Sequence, residues 1–186
     1  MKALRREKNR GSFLLEFALV AAFVLIPLVL GTMTVGMTLA RTIHVYQLNR
    51  DTGHMFARGV DFSQSQSRAL VVRMAEGLNI TDSGGNGVII LSLIQSTGTG
   101  QAVCTRRLVI GNAGLRSSSF ASPALIDAYG NVNYVGDPGA SANSFLNVMA
   151  MAAGETAYVA ESYFSSSDYD WTGFLTGNGT YTRAVF

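Results

Sequence analysis

The sequence predicts an α+β protein with a long N-terminal transmembrane helix, an amphipathic extension of that helix, a second short helix and a small antiparallel sheet of three or four strands. The first observation is that residues 17–40 contain no charged side chain. The second is that apolar residues follow helical spacing up to about residue 80, and then form Val-, Ile- and Leu-rich runs separated by Gly- and Ser-rich turns. We therefore divide the chain into a leader (1–11), a transmembrane helix (12–40), a helical stem (41–80) and an exported globular region (81–186).

The membrane helix is predicted from length and composition. Its charge-free run of 24 residues makes a helix of about 36 Å, against a hydrocarbon core of about 30 Å. Pro27 is predicted to remove one backbone hydrogen bond and to bend the helix. Gly31 and Gly36 make the second half of the helix narrower, as small residues do where membrane helices pack closely.

The formal net charge of +2 averages two unlike regions. Five basic residues precede the apolar run, and after residue 11 there are nine Lys and Arg against eleven Asp and Glu. Basic residues beside a membrane segment tend to stay cytoplasmic, which predicts a single-pass membrane protein with its C-terminal region exported. The charge does not indicate nucleic-acid binding. The basic residues are Lys2, Arg5, Arg6, Lys8 and Arg10.

Glu16 is the feature that a plain membrane anchor leaves unexplained. A carboxylate within a span costs roughly 2.5–3.5 kcal/mol at the bilayer centre, and less near an interface, unless it has a partner. No basic residue follows it by one helical turn. A secretory signal peptide would have a shorter apolar core followed by a small-x-small cleavage site, and this run of 24 residues is too long for such a core.

After the membrane run, residues 41–62 continue as an amphipathic stem, and a second helix is predicted over 64–77, ending near Gly77 and Asn79. The apolar stripe of this second helix is predicted to comprise Leu70, Val71, Met74 and Leu78. The apolar positions of the stem are Ile43, Val45, Tyr46, Leu48, Met55, Phe56 and Val60.

Strands are predicted over 88–95, 101–110, 156–164 and 181–186, with a hairpin turn over 96–100 between the first two. Residues 111–154 consist mostly of small polar side chains and are predicted to form a long decorated loop.

Residues 11–17 (GSFLLEF) behind a basic leader resemble the class III signal of type IV prepilins and pseudopilins. The resemblance implies that a prepilin peptidase cuts between Gly11 and Ser12, so that Glu16 becomes the fifth mature residue. In that family this Glu pairs with the N-terminal amine of a neighbouring subunit. The apolar helix survives cleavage and supplies packing, here through Phe13, Phe17, Pro27, Gly31 and Gly36.

The order of elements is similar to the TadE-like minor pilins of the tight-adherence (Tad) system. The stem from Tyr46 and Leu48 through residues 56–59 (FARG) resembles the family's stem, and residues 158–163 (YVAESY) resemble its final strand. Ser12 replaces the Phe common in major pilins, which favours a minor or assembly subunit. The resemblance implies other pilin subunits, a prepilin peptidase, an assembly platform and the inner membrane as partners, and a later location in the periplasm or an extracellular pilus.

Two other classes of function stay open: a signal-anchored exported enzyme or ligand-binding domain, and an uncleaved membrane scaffold of a secretion complex. We predict no enzyme activity and no cofactor, because no catalytic constellation stands out. His44 and His54 lack the spacing of a helical metal pair and are predicted to be surface or interface residues. Cys104 cannot form an intrachain disulfide and is predicted to be a small buried hydrophobe.

Residues 168–173 imitate the start of a calcium loop through Asp168, Asp170 and Thr172, but Gly179 stands where the bidentate Glu belongs, so an ordinary polar turn is preferred. Of the basic pair Arg106 and Arg107, at least one is predicted to be solvated. Four aromatic residues form either a patch for a partner or part of a small core: Tyr163, Phe164, Trp171 and Phe174.

Overall fold

The computed structural model describes residues 4–98, 100–165 and 179–186, with side chains from Gly11 onward. It confirms the α+β class, with a long apolar N-terminal helix, a second short helix and a four-stranded antiparallel sheet. The chain forms two compact units, residues 1–41 and 42–186. The predicted stem (41–80) and the predicted globular region (81–186) therefore share one unit from Thr42 onward.

The long helix comprises α1 (Leu4–Val20), a π-helical turn (Ala21–Leu25) and α2 (Ile26–Ala57). Its stretch Gly11–Ala57 is long and apolar enough to cross a bilayer, as the charge-free run predicts. In the π-helical turn the Ile26 amide donates to the Ala21 carbonyl. The cause is Pro27, which has no N–H to donate and whose ring crowds the carbonyl four residues earlier, so the preceding turn widens.

Within the unit 42–186, the stem part of α2 buries one side against the sheet. Val45, Leu48 and Phe56 are buried as predicted, but Ile43 and Tyr46 are exposed. Polar Asn49 and Thr52 complete the buried stripe, at positions three and four residues from their apolar neighbours. The apolar pattern of the sequence did not identify the buried side of the stem, because the exposed residues Ile43 and Tyr46 are apolar and the buried residues Asn49 and Thr52 are polar.

The second helix, α3 (Ser65–Met74), is shorter than the predicted span of 64–77. Val71 is buried and the stripe continues through Ala75 and Leu78 in the turn that follows, whereas Leu70 is exposed, contrary to the prediction. The stripe is thus narrower than predicted and centred on Val71.

The sheet contains β1 (Gly87–Gly98), β2 (Gln101–Gly111), β3 (Thr156–Phe164) and β4 (Thr180–Val185), in the order β2-β1-β3-β4. β3 has the predicted bounds, and the other strands lie within a few residues of theirs. β1 extends to Gly98, so the hairpin connection is tighter than predicted, and Gly98 pairs with Gln101. A bulge at Leu93 and Ile94 adds one unpaired residue, Thr105, to the facing strand.

Both faces of the sheet are covered. One face packs against the stem and α3, and the other packs against segment 111–154. This segment contains two 3₁₀ turns, Pro138–Ala140 and Asn143–Asn147. The prediction of a decorated loop holds for its secondary structure, but the segment also forms a second layer with its own core of Phe120, Ala121, Val132, Ala140, Ala142 and Phe145.

Candidate functional site

The predicted processing and packing residues all lie on the N-terminal helix. Gly11, Ser12, Phe13, Glu16 and Phe17 are exposed on α1. A Cβ atom built on Gly11 meets no atom within 4 Å. Packing within the chain therefore does not require glycine at this position.

Glu16 is exposed on α1. Among the side chains that the structure describes, none pairs with its carboxylate, which lies one turn before the widened segment Ala21–Leu25. A carboxylate at the start of an apolar span is stabilised only by water, by headgroups or by a cation from another molecule. The geometry thus leaves this acid available to an external partner.

Farther along the helix, the small residues leave open space. A Cβ atom built on Gly31 or on Gly36 meets nothing within 4 Å. Gly31 follows Pro27 by four residues, so these two share one side of α2, whereas Gly36 lies about 140° around the helix from Gly31. The hydroxyls of Thr34 and Thr38 donate to the carbonyls four residues before them, at 2.8 and 2.9 Å, which satisfies both groups inside the helix.

The widened turn creates a surface feature that sequence reasoning missed. A shallow groove of about 470 Å³ runs along one side of the helix on either side of this turn. Its start is formed by alanines, so the backbone is accessible there, and larger residues form its end. The signal in the sequence was the small residues three and four apart just before Pro27. The groove is lined by Ala18, Ala21, Ala22, Leu25, Ile26, Val29 and Leu30.

A buried polar contact joins the stem to the sheet in the unit 42–186. The Ser162 hydroxyl donates to Asn49 Oδ1 at 2.7 Å, and Asn49 Nδ2 donates to the Ala160 carbonyl at 3.2 Å. Close by, Gly53 allows the helix to approach: a Cβ there would lie 2.2 Å from Phe186 Cε2 and 3.0 Å from Ala160 Cβ. These contacts fix the position of the stem on the sheet.

Glu161 is a second feature that the sequence did not reveal. Its carboxylate is buried on the sheet face opposite the stem, where it accepts from the Ser118 hydroxyl, from the Ser119 amide at 3.1 Å and from the Tyr181 hydroxyl at 2.6 Å. Burial, followed by the bond to Glu161, raises the pKa of Tyr181. The Arg116 guanidinium lies 4.0 Å from the centre of the Tyr181 ring. This cluster ties segment 111–154 to β3 and β4.

The predicted aromatic patch is not assembled by the described residues. Phe164 is buried in the core against the stem, and Tyr163 is half-buried below the Arg116 guanidinium. Trp171 and Phe174 lie outside the described residues, as does the calcium-loop candidate Asp168, Asp170 and Thr172.

The basic pair on β2 is structural. Arg106 Nη2 donates to Asp61 Oδ1 at 2.6 Å, and Arg107 is buried, with Nη1 donating to the Ala121 carbonyl at 3.1 Å. The expectation that one of the two is simply solvated was wrong, because segment 111–154 covers the face to which Arg107 belongs. Cys104 is buried as predicted, and this burial raises the pKa of its thiol.

The histidines contact their own unit. His44 Nε2 lies 3.0 Å from the Met74 carbonyl, and the His54 ring lies 4.4 Å from the Phe186 ring, so both are partly buried. Within the part of the chain that the structure describes, no group of three or more His, Cys, Asp or Glu side chains could hold a metal ion.

In comparisons with known proteins, no family model, no curated protein and no solved structure matches the chain.

Proposed function

We propose that this chain is a minor pilin or pseudopilin of TadE-like type, which assembles into or primes a Tad-type filament used in surface attachment or secretion. The observation that carries the proposal is Glu16: a lone acid five residues after Gly11, behind a basic leader, at the start of a helix that can cross a membrane. Its exposure without a described cation supports the same conclusion.

The basic leader supports an orientation with the N-terminus in the cytoplasm and residues 42–186 exported from the inner membrane. A prepilin peptidase would then cut on the cytoplasmic side of the apolar helix. Cleavage between Gly11 and Ser12 leaves a free ammonium group on Ser12 and retains the anchor.

Assembly follows from the cost of an unpaired charge in an apolar layer. The Ser12 ammonium of one subunit would pair with Glu16 of its neighbour, so that two isolated charges become one pair. Only a subunit at the right axial offset brings the two groups together. Glu16 would therefore set the register of the helices, and the alanine-lined groove would let a neighbouring helix approach closely.

Processing is tested by the intact mass of the full-length chain extracted from membranes of a host that contains a prepilin peptidase. We expect a mature protein that begins at Ser12. A protein that retains Met1 in that host would contradict the proposal and favour an uncleaved membrane scaffold. A cut on the exported side of the apolar helix would favour a signal-anchored soluble domain.

Two pairs of substitutions separate the roles of the site residues. Gly11→Ala is sterically free within the chain, so a loss of cleavage would report recognition by the peptidase. Gly36→Ala is the matched control, since its Cβ position is equally open.

Glu16→Gln should preserve cleavage and membrane insertion but strongly reduce incorporation into filaments. Glu76→Gln, at an exposed position in the other unit, should change neither cleavage nor incorporation. Normal filament incorporation of Glu16→Gln would contradict the pairing role.

A further inference from the structure

Segment 111–154 carries a group of exposed apolar side chains on its outer side. Val135 is 86% exposed and Tyr129 is 66% exposed. Large apolar residues in such a short stretch are normally turned inward unless the surface binds something. We define the loop patch as Leu125, Ile126, Tyr129, Tyr134 and Val135.

The backbone below the loop patch is held firmly by two carboxylates. Asp127 Oδ1 accepts from the amides of Tyr129 at 2.9 Å and Asn131 at 2.7 Å, and its Oδ2 accepts from Asn131 Nδ2 at 2.8 Å. Asp137 accepts from the Ala124 amide, from the Leu125 amide at 2.8 Å and from the Gly139 amide at 2.9 Å. Because the loop is ordered in advance, binding through it would lose little conformational entropy.

The same segment is depleted of charge. Residues 117–154 contain only two charged side chains, Asp127 and Asp137, and backbone amides occupy both carboxylates. Depletion of charge and exposure of tyrosine are typical of the centre of a protein–protein interface. An anionic lipid surface or a nucleic acid would instead require Lys and Arg, and residues 117–154 contain neither.

A second apolar surface of the same unit lies on the stem. Ile43 and Tyr46 are three residues apart on α2, and both are exposed although their neighbours Val45 and Leu48 are buried. We define these two residues as the stem patch. Exposed apolar residues in neighbouring helical positions again indicate a surface that is covered in the assembled state.

The two patches complement each other chemically. Beside Leu125 and Ile126 lies a shallow groove of about 510 Å³, which is lined by apolar residues and by the polar residues Asp127, Asn131 and Asn133. A tyrosine ring has the matching character, with an apolar body and a polar hydroxyl at its tip. Tyr46 offers such a ring, 61% exposed, on an identical copy of the chain.

We propose that the loop patch of one copy binds the stem patch of a neighbouring copy, with Tyr46 entering the groove beside Leu125. Two different surfaces that pair between copies form a heterologous contact, which leaves one free patch at each end and continues into an open assembly. A contact of the loop patch with itself would close after two copies and leave the stem patch uncovered. The inference rests on the proposed function, because it names the contact that a filament subunit would use outside the membrane.

Disulfide trapping between two differently tagged full-length chains tests this contact in membranes. One chain carries Val135→Cys and the other carries Arg50→Cys, one helical turn beyond Tyr46 and exposed. The native Cys104 is buried and remains in place. We expect a disulfide-linked product that contains both tags. Adding Tyr46→Ser to the Arg50→Cys chain should reduce this product on the order of tenfold or more, since a central tyrosine contributes strongly to an interface.

Glu76→Cys replaces Arg50→Cys in the control chain, because Glu76 is exposed and lies outside both patches. The proposal is overturned if Val135→Cys couples equally well to this control, if it couples only to itself, or if it couples only to other proteins. The intact mass measured on the same sample distinguishes a failure of the proposed contact from a failure of the proposed function. Cleaved chains that enter filaments without the trapped product would overturn the contact alone, whereas uncleaved chains would overturn the proposed function.

Discussion

Replacement of Asn49 by Ala should destabilise the unit 42–186 strongly, although the residue is a polar one in a stem helix. Asn49 is buried, accepts from the Ser162 hydroxyl at 2.7 Å and donates to the Ala160 carbonyl at 3.2 Å. Truncation leaves the buried Ser162 hydroxyl without its acceptor, which costs about 1–3 kcal/mol. The void left by the amide adds about 1 kcal/mol. We therefore expect a loss of about 2–4 kcal/mol in the free energy of unfolding.

The partner residue allows the contact itself to be measured. Ser162→Ala removes the donor and should cost about 1–2 kcal/mol. If the two side chains bond as described, the double variant should lose about 1–2 kcal/mol less than the sum of the single losses, because the second substitution has no bond left to break. Gln47→Ala, at an exposed position of the same helix, serves as the control and should change stability by less than about 0.5 kcal/mol.

The assay is urea unfolding of the full-length chain in detergent micelles, with the folded fraction of residues 42–186 followed by pulse proteolysis. This method measures the unfolding of the unit 42–186 while the apolar helix stays in the micelle. A loss for Asn49→Ala no larger than that of Gln47→Ala would refute the reasoning. Strict additivity in the double variant would show that the two side chains do not share a bond.

Three further predictions concern residues of the unit 42–186. The amides of Leu125, Ala124 and Gly139, with that of Leu125 contributing most, lower the pKa of Asp137 below its ordinary value of 3.8. Its stabilising effect is therefore complete above about pH 3.8 and is lost as the pH falls through the lowered pKa, so Asp137→Asn should show a smaller acid-dependent fall in Tm than the native chain. Burial raises the pKa of the Cys104 thiol, so iodoacetamide should label it slowly in the native protein and quickly in urea. Tyr181→Phe removes the 2.6 Å bond to the buried Glu161 carboxylate and should lower the free energy of unfolding by about 1.5–3 kcal/mol in the same urea assay.

The elements that the sequence predicted well are those with strong local signals. The charge-free run made the N-terminal helix certain to be long, because any polar backbone in such a run must be satisfied internally. The β3 strand was predicted at its observed bounds, since its Val, Tyr and Phe residues follow a glycine turn. Gly11 and Glu16 were singled out by their resemblance to a prepilin signal, and both cleavage after Gly11 and pairing of Glu16 with a neighbouring subunit stay predictions.

Local signals failed where a residue's environment is supplied by a distant segment. Asn49 is polar, but the helix and β3 together surround it and supply its bonds. Leu70 and Tyr46 are apolar, but none of the described elements buries them. Glu161 is buried because residues 118, 119 and 181 all donate to it, and none of these is its neighbour in sequence.

The sequence by itself thus determined that this protein has a long apolar helix able to cross a membrane and an acid at the start of its charge-free run. Composition and charge suffice for both, because the bilayer acts on each residue according to its own polarity. Only the tertiary structure decided that segment 111–154 is a second layer on the sheet, with Phe120, Val132 and Phe145 buried and other apolar side chains such as Val135 left exposed. That layer depends on contacts between residues distant in sequence, such as the Ala142 amide donating to the Ala102 carbonyl and the Arg107 guanidinium donating to the Ala121 carbonyl, which no local pattern encodes.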